Sequence, residues 1–291
     1  MSRAEAVRRS AGFPLRLEQA VSAARSGQRP EDGSPAAAGV ALAGARPERV
    51  VLRPQAPLHH ACMLRMAAAS GVGLDSVDVR RRMVERLRRC GLVDEAVLAA
   101  LGSVPRHHFV DAALVNQAYE DTSLPIGHGQ TISKPSVVGR MIELLMDGRQ
   151  ARATGRLGQV LEIGTGCGYQ AAVLSRLAHS VISVERLKPL HDKARELMAP
   201  TRGANVRLVY ADGIDGHPPN APYDSIIAAA GGDDVAPAWL AQLAVGGRLV
   251  APIAQQGARQ VLIVVDRTEA GYRRRLHEAV HFVPLKSGIV R

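Results

Sequence analysis

The sequence predicts a doubly wound α/β domain, a mostly parallel sheet covered by helices and preceded by further helices. Two observations carry that prediction. From Val160 to Pro252, short β-branched runs alternate with helical ones across short connections, a rhythm that calls for right-handed crossovers between parallel strands. Within it, Val160-Leu-Glu-Ile-Gly164-Thr-Gly166-Cys-Gly168 carries a strand into a glycine turn that opens a helix. Glycines at such a turn let backbone approach a ligand where a Cβ would collide.

Residues 1–75 are rich in Ala, Gly, Pro and Arg and poor in β-branched residues, which predicts a disordered or weakly helical extension. Residues 76–291 form the domain, with helices and a loop over 76–150 and the sheet and C-terminal strands over 151–291. A helix near 78–90 is stopped by Gly91. A second runs from Asp94, an N-cap residue, to about Leu101. A third, short one starts at Pro105. Tyr119 to Ser133 lacks apolar periodicity and reads as a loop. Pro135 to Met146 is a helix, with Ser133 placed to cap it and Gly148 to end it. Then come strand 160–163, helix 169–178, strand 181–185, helix 189–199, strands 206–210 and 225–230, helix 237–244 and strand 248–252. Gln260 to Leu285 holds two or more further strands, the first at 261–265.

Composition narrows the function. With 291 residues, 46% of them hydrophobic and 22% charged, the chain can bury a sizeable core. No apolar run is long enough for a membrane-spanning helix. Arg8-Arg9 resembles a twin-arginine signal, but Arg16, Glu18 and Arg25 stand where an apolar run should follow. The 3 cysteines lie far apart without a CxxC pair, so neither a disulfide framework nor a metal site is expected, and a reducing, cytoplasmic setting fits. The formal charge of +10 invites a nucleic-acid reading. Its densest run, Arg80, Arg81, Arg82, Arg86, Arg88 and Arg89, shares a helix with Met83 and Leu87 and reads as a solvated face, so no nucleic-acid partner is expected.

The glycine turn points to a nucleoside ligand. Glu185, at the end of the next strand, can accept hydrogen bonds from both ribose hydroxyls. The glycines Gly164, Gly166 and Gly168 fall as G-x-G-x-G rather than G-x-G-x-x-G, and Glu162 stands two positions before the first. A carboxylate there would repel a pyrophosphate but suits the ammonium of an amino-acid moiety, which favours S-adenosyl-L-methionine over a dinucleotide. Asp212-Gly213, after the third strand, can bring a carboxylate near the adenine amino group. Taken singly, each acid could equally be a turn or cap residue. Cys167 reads as a small tolerated residue, since no neighbour in sequence stabilises its thiolate.

The chain from about Val77 to Arg291 resembles the protein-L-isoaspartate (D-aspartate) O-methyltransferase family. The likeness rests on Val104-Pro-Arg106 with Phe109-Val110, Leu124-Pro-Ile-Gly127, Gly129-Gln-Thr-Ile-Ser133, the glycine turn with Gly168-Tyr-Gln170, Ser183-Val-Glu-Arg186, Asp212-Gly213, Pro222-Tyr-Asp224 and Phe282-Val-Pro-Leu285. The segment Gln130 to Ser133 is the most specific of these. The resemblance implies a Rossmann-like, S-adenosyl-L-methionine-dependent fold. It also implies an enzyme that methylates the free α-carboxylate of isoaspartyl, and also D-aspartyl, residues in damaged proteins; a monomer is expected. Ser133 would hold that carboxylate, and the backbone of Thr131 and Ile132 would close over the cofactor. His128 and Gly231-Gly-Asp-Asp234 depart from the family pattern, the latter at the rim of the expected peptide groove. A methyltransferase acting on nucleic acid or a small molecule is the alternative.

Overall fold

A computed structural model describes residues 77–200, 204–255 and 259–291. The expected extension over 1–75 lies outside the described residues. Two helices open the described chain, α1 (Val77–Arg89) and α2 (Glu95–Ser103). Gly91 leaves α1 at φ 100°, a left-handed conformation that costs glycine little, and the Asp94 side chain caps α2 by accepting from the Val97 amide at 3.0 Å. On α1, Met83 and Leu87 are buried, while Arg81 pairs with Asp78 and Arg88 with Glu95, so much of the arginine run is a wet helix face. The short helix expected at Pro105 is a 3-10 turn over Arg106–Phe109, and a second, unexpected one spans Ala112–Gln117.

The stretch read as a loop contains a small antiparallel hairpin, β1 (Leu124–Gly127) and β2 (Gln130–Ile132). Its strands are too short to show alternation. Its turn bends through Gly127, His128 and Gly129, all at positive φ. Helix α3 (Pro135–Met146) follows, then α4 (Arg149–Thr154), which the sequence reading missed.

The sheet has seven strands: β3 (Gln159–Ile163), β4 (Ser180–Glu185), β5 (Val206–Tyr210), β6 (Tyr223–Ala228), β7 (Leu243–Gln255), β8 (Arg259–Thr268) and β9 (Gly271–Val280), in the order β5-β4-β3-β6-β7-β8-β9. Pairing is parallel from β5 to β7 and antiparallel between β7, β8 and β9. Helices α5 (Tyr169–Leu177), α6 (Lys188–Met198) and α7 (Pro237–Gln242) connect the parallel strands. Strand β7 runs beyond the expected 248–252 at both ends, since Leu243 already pairs with Tyr223 of β6 ahead of a bulge, and 251–255 pair with β8 as a hairpin arm. Successive residues of β3 face opposite ways: Val160 joins the core beneath α2, α3 and α5, while Leu161 and Ile163 join the core around Trp239. Among the described residues, no helix is long and apolar enough to cross a membrane.

Candidate active site

Strand order reverses between β3 and β6, and in such sheets ligands bind where carboxyl ends diverge. A cavity enclosing about 870 Å³, its open mouth included, lies there. Its floor is Ile163 to Cys167 after β3, Val184 and Glu185 at the end of β4, Gly213 beyond β5, and Ala229 and Ala230 beyond β6. Gln130, Thr131, Ile132 and Ser133 form the opposing wall. The segment Val283 to Lys286 completes the rim. Of the residues singled out from sequence, Thr131, Ile132, Ser133, Gly164, Gly166, Glu185 and Gly213 therefore come together, whereas Glu162, Gly168 and Asp212 do not line the cavity.

Each of those three has another job. Gly168 sits at φ 92° as the residue before α5, and a Cβ on it would fall 2.7 Å from the Met198 sulfur. Asp212 accepts from the Ile214 amide at 3.0 Å, capping a short 3-10 turn, and also from the Gly288 amide. That is the turn-residue role its position allowed. Glu162 is fully buried, and the Ser183 hydroxyl donates to its carboxylate and shares a 2.6 Å hydrogen bond with the Thr165 hydroxyl. This chain of hydroxyls fixes the glycine turn from beneath. Burial, with the charge of Glu185 adding to it, pushes the Glu162 carboxyl up to about 8.

Glu185 is held in place by two amides. Gly166 donates to one oxygen at 2.9 Å and Leu187 to the other at 2.9 Å, leaving lone pairs on both for a ligand. Gly164 and Gly166 take φ 90° and 56°, left-handed conformations that favour glycine, and a Cβ on Gly166 would also press on Ile126 at 3.2 Å. Burial pushes the Cys167 thiol up to about 11, an unreactive thiol.

Ser133 does not cap α3. Pro135 is the first helical residue and Lys134 occupies the N-cap position, so Ser133 lies one residue too early. Asp121 supplies the cap from outside the helix: the Ser136 amide and hydroxyl donate to its two oxygens at 2.9 and 2.7 Å. The half-buried Ser133 hydroxyl has no hydrogen-bond partner among the described residues.

Sequence reasoning missed several contributors. Tyr169 and Gln170 line the cavity, the Tyr169 hydroxyl beside the Arg106 guanidinium and the Gln170 amide beside the Glu162 carboxyl. Arg106 was noted only as part of a motif. It is wholly buried, its guanidinium lies 4.7 Å from the Tyr169 ring centre and it donates to the Ala118 carbonyl at 2.8 Å, strapping down the chain that leads to β1. The divergent Gly231 pairs with the C-terminal segment, since its amide donates to the Val283 carbonyl and its carbonyl accepts from Leu285. A Cβ on Gly231 would strike Gln260 at 2.4 Å, the side chain that accepts from the Phe282 amide. No distance in the sequence hints at that closure.

The geometry fits S-adenosyl-L-methionine. A glycine cradle, a carboxylate with free lone pairs and the polar side chain of Gln170 in one cavity match a nucleoside joined to an amino acid. The family model for protein-L-isoaspartate(D-aspartate) O-methyltransferase matches residues 78–289. The chain is 57% identical over 281 residues to the protein-L-isoaspartate O-methyltransferase of Methylibium petroleiphilum, covering 95% of this chain and 96% of that one. That match therefore runs into the segment before residue 76. It is 61% identical over 241 residues to the Leptothrix cholodnii enzyme, covering 81% and 84% of the two chains. Among solved structures, a protein-L-isoaspartate O-methyltransferase aligns with a TM-score of 0.64 at 27% identity, covering 72% of this chain and 67% of that one. A Plasmodium falciparum protein of the same description, in complex with S-adenosyl-L-homocysteine, aligns with a TM-score of 0.60 at 22% identity, covering 71% and 98%.

Proposed function

The chain belongs to the protein-L-isoaspartate (D-aspartate) O-methyltransferase family, and on that premise we propose the part each residue plays. The enzyme transfers a methyl group from S-adenosyl-L-methionine to the free carboxylate of isoaspartyl residues in proteins, which starts their repair. Residues 76–291 are the catalytic unit in this reading.

Glu185 takes the ribose hydroxyls on its remaining lone pairs, and Gly164, Gly166 and Gly213 let backbone lie against the bound group. Gln170 donates to its amino-acid end. Glu162, beneath the turn, holds the Ser183 and Thr165 hydroxyls in place and so fixes the glycine turn on which the cofactor rests. Asp212 positions Gly213 by capping the turn that follows. When bound, the cofactor supplies a methyl group on a positively charged sulfur.

The acceptor, a carboxylate with a pKa near ~3.9, is already ionised at neutral pH, so no residue has to remove a proton. Positioning is the main demand. The Ser133 hydroxyl donates to one carboxylate oxygen and leaves the other free to attack, while Thr131 and Ile132 close the wall and keep water out. Near-attack placement can lower a barrier by up to ~7–11 kcal/mol. The observation that carries this reading is the unpartnered Ser133 hydroxyl in the wall facing the glycine turn. Its test is methyl-ester formation on two peptides that differ only in aspartyl linkage. Equal labelling of both would overturn it. We propose further that the enzyme acts as a monomer in the cytoplasm and accepts D-aspartyl residues as well.

A further inference from the structure

Arg106 and Phe109, in the 3-10 turn before the hairpin, do not line the cavity, yet they touch what does. The Phe109 ring meets the Tyr169 ring edge-on at 5.7 Å, and the Arg106 guanidinium lies 4.7 Å from the centre of that same ring. Tyr169 is the first residue of α5, directly after the glycine turn, and faces the cavity. One end of this grip is therefore the cofactor wall.

The other end is the acceptor wall. Arg106 donates to the Ala118 carbonyl at 2.8 Å and to the Thr122 carbonyl at 3.4 Å, so one side chain fixes both ends of the stretch 118–122. That stretch holds Ser133 from two sides. Within it, Asp121 accepts from the amide and hydroxyl of Ser136, at the start of α3. Just beyond it, Leu124 pairs with Ile132, the residue before Ser133. The place of the Ser133 hydroxyl is set by these neighbours.

Stability alone does not account for an arginine here. Arg106 is wholly buried, and among the described residues no carboxylate lies within ion-pair distance of it. Burial lowers its pKa, and the Asp121 charge offsets this only weakly. A buried cation without a counter-ion is costly, and an apolar side chain of similar size would fill the space at less cost. What an apolar side chain cannot do is hold two carbonyls and an aromatic face in one rigid, planar arrangement.

We propose that Arg106 is a positioning residue for methyl transfer, which sets the distance between the Ser133 hydroxyl and the bound cofactor by tying the chain around Ser133 to the start of α5. The inference rests on Ser133 as the acceptor-binding group. In the reaction a carboxylate oxygen bonds to the methyl carbon while the carbon–sulfur bond breaks and its electron pair stays on sulfur. Such a displacement is sensitive to distance, and a misplacement of about 1 Å can cost on the order of 10²-fold in rate.

The test is a double-mutant cycle in the full-length enzyme, with Arg106→Lys and Arg106→Gln each made alone and together with Ser133→Ala. The first keeps the charge and loses the planar fork; the second keeps a neutral donor and buries no ion. Turnover of an isoaspartyl peptide is counted per molecule that binds S-adenosyl-L-homocysteine, so unfolded protein does not enter. Each single Arg106 variant should lose ~10-fold or more in kcat, while affinity for S-adenosyl-L-homocysteine stays within about threefold of wild type. On the Ser133→Ala background the same changes should cost less than about threefold more, because the group they misplace is already gone. A purely structural role predicts full kcat per binding-competent molecule, and that result overturns the proposal. So does an Arg106 penalty that is equally large without the serine, or loss of cofactor binding in both variants, which makes Arg106 a folding residue. If Ser133→Ala alone keeps wild-type kcat, the acceptor reading itself fails and this proposal falls with it, an outcome the cycle tells apart from the others.

Discussion

Around the glycine turn, Glu162, Ser183, Thr165 and Glu185 are tied to one another or to backbone amides and are almost fully buried. Across the same cavity, the Ser133 hydroxyl has no partner among the described residues, and neither has the side chain of the exposed Lys134 next to it. The two walls serve ligands of different kinds. The cofactor is one molecule, so a rigid and pre-satisfied wall loses little entropy on meeting it. Damaged residues arise in many proteins, and groups left in water can meet many partners. If this contrast is functional, changes on the acceptor wall should alter turnover without altering stability. Changes on the cofactor wall should alter stability, affinity or both.

Ser133→Ala gives the largest expected effect. Removing a donor to the reacting carboxylate should lower kcat on the order of 10²-fold. The thermal midpoint should stay within error of wild type, since the hydroxyl bonds to nothing in the described protein. Steady-state kinetics alongside calorimetry separates the two. A lower midpoint with unchanged kcat would reverse the assignment of that wall.

Glu162 tests the opposite wall through pH. Its folded carboxyl titrates near about 8 against an ordinary 4.5, so the folded state holds a proton that the unfolded state releases between those values. The contribution is complete below pH 4.5 and is lost as pH rises toward 8, up to a few kcal/mol for a shift of this size. Glu162→Gln can still accept from Ser183 and has nothing to ionise. The mutant's stability, measured by denaturant titration without cofactor, should therefore decline less than wild type's across that window. Parallel pH profiles would show that Glu162 is ionised in the free enzyme.

How much of this was legible beforehand differs between the walls for a physical reason. The glycine turn and Glu185 are local: a strand, a turn and the end of the next strand, spaced by sheet geometry. The parallel order and the two C-terminal strands follow from patterns of the same range. Arg106 under Tyr169, Asp121 on Ser136 and Gly231 beneath the C-terminal segment are contacts between distant stretches, and no periodicity encodes them. Ser133 failed as a cap for a smaller reason, since a displacement of one residue moves a side chain off the helix end. The resemblance supplied its candidate role, and the structure removed the competing one.

Glu185→Ala should weaken cofactor affinity by ~1–3 kcal/mol, because ribose hydroxyls are left without an acceptor and the Gly166 and Leu187 amides lose theirs. Titration with S-adenosyl-L-homocysteine reads it as a fall in affinity. Wild-type affinity in a folded mutant would place the nucleoside elsewhere in the cavity.

The smallest effect sharpens the contrast at its boundary, where a residue near the acceptor wall does bear on stability. Asp121 caps α3 from a segment that precedes β1, so Asp121→Ala should cost ~0.5–2 kcal/mol, the usual worth of a lost N-cap, where Ser133→Ala costs almost nothing. Asp121→Asn keeps an oxygen for the Ser136 amide and should recover most of the loss, giving up only the charge that favours a helix N-terminus. Denaturant midpoints of the three variants rank the two readings directly. If Ser133→Ala proves as costly as Asp121→Ala, the serine hydroxyl has a structural partner after all, and a fall in its turnover could no longer be credited to the substrate alone.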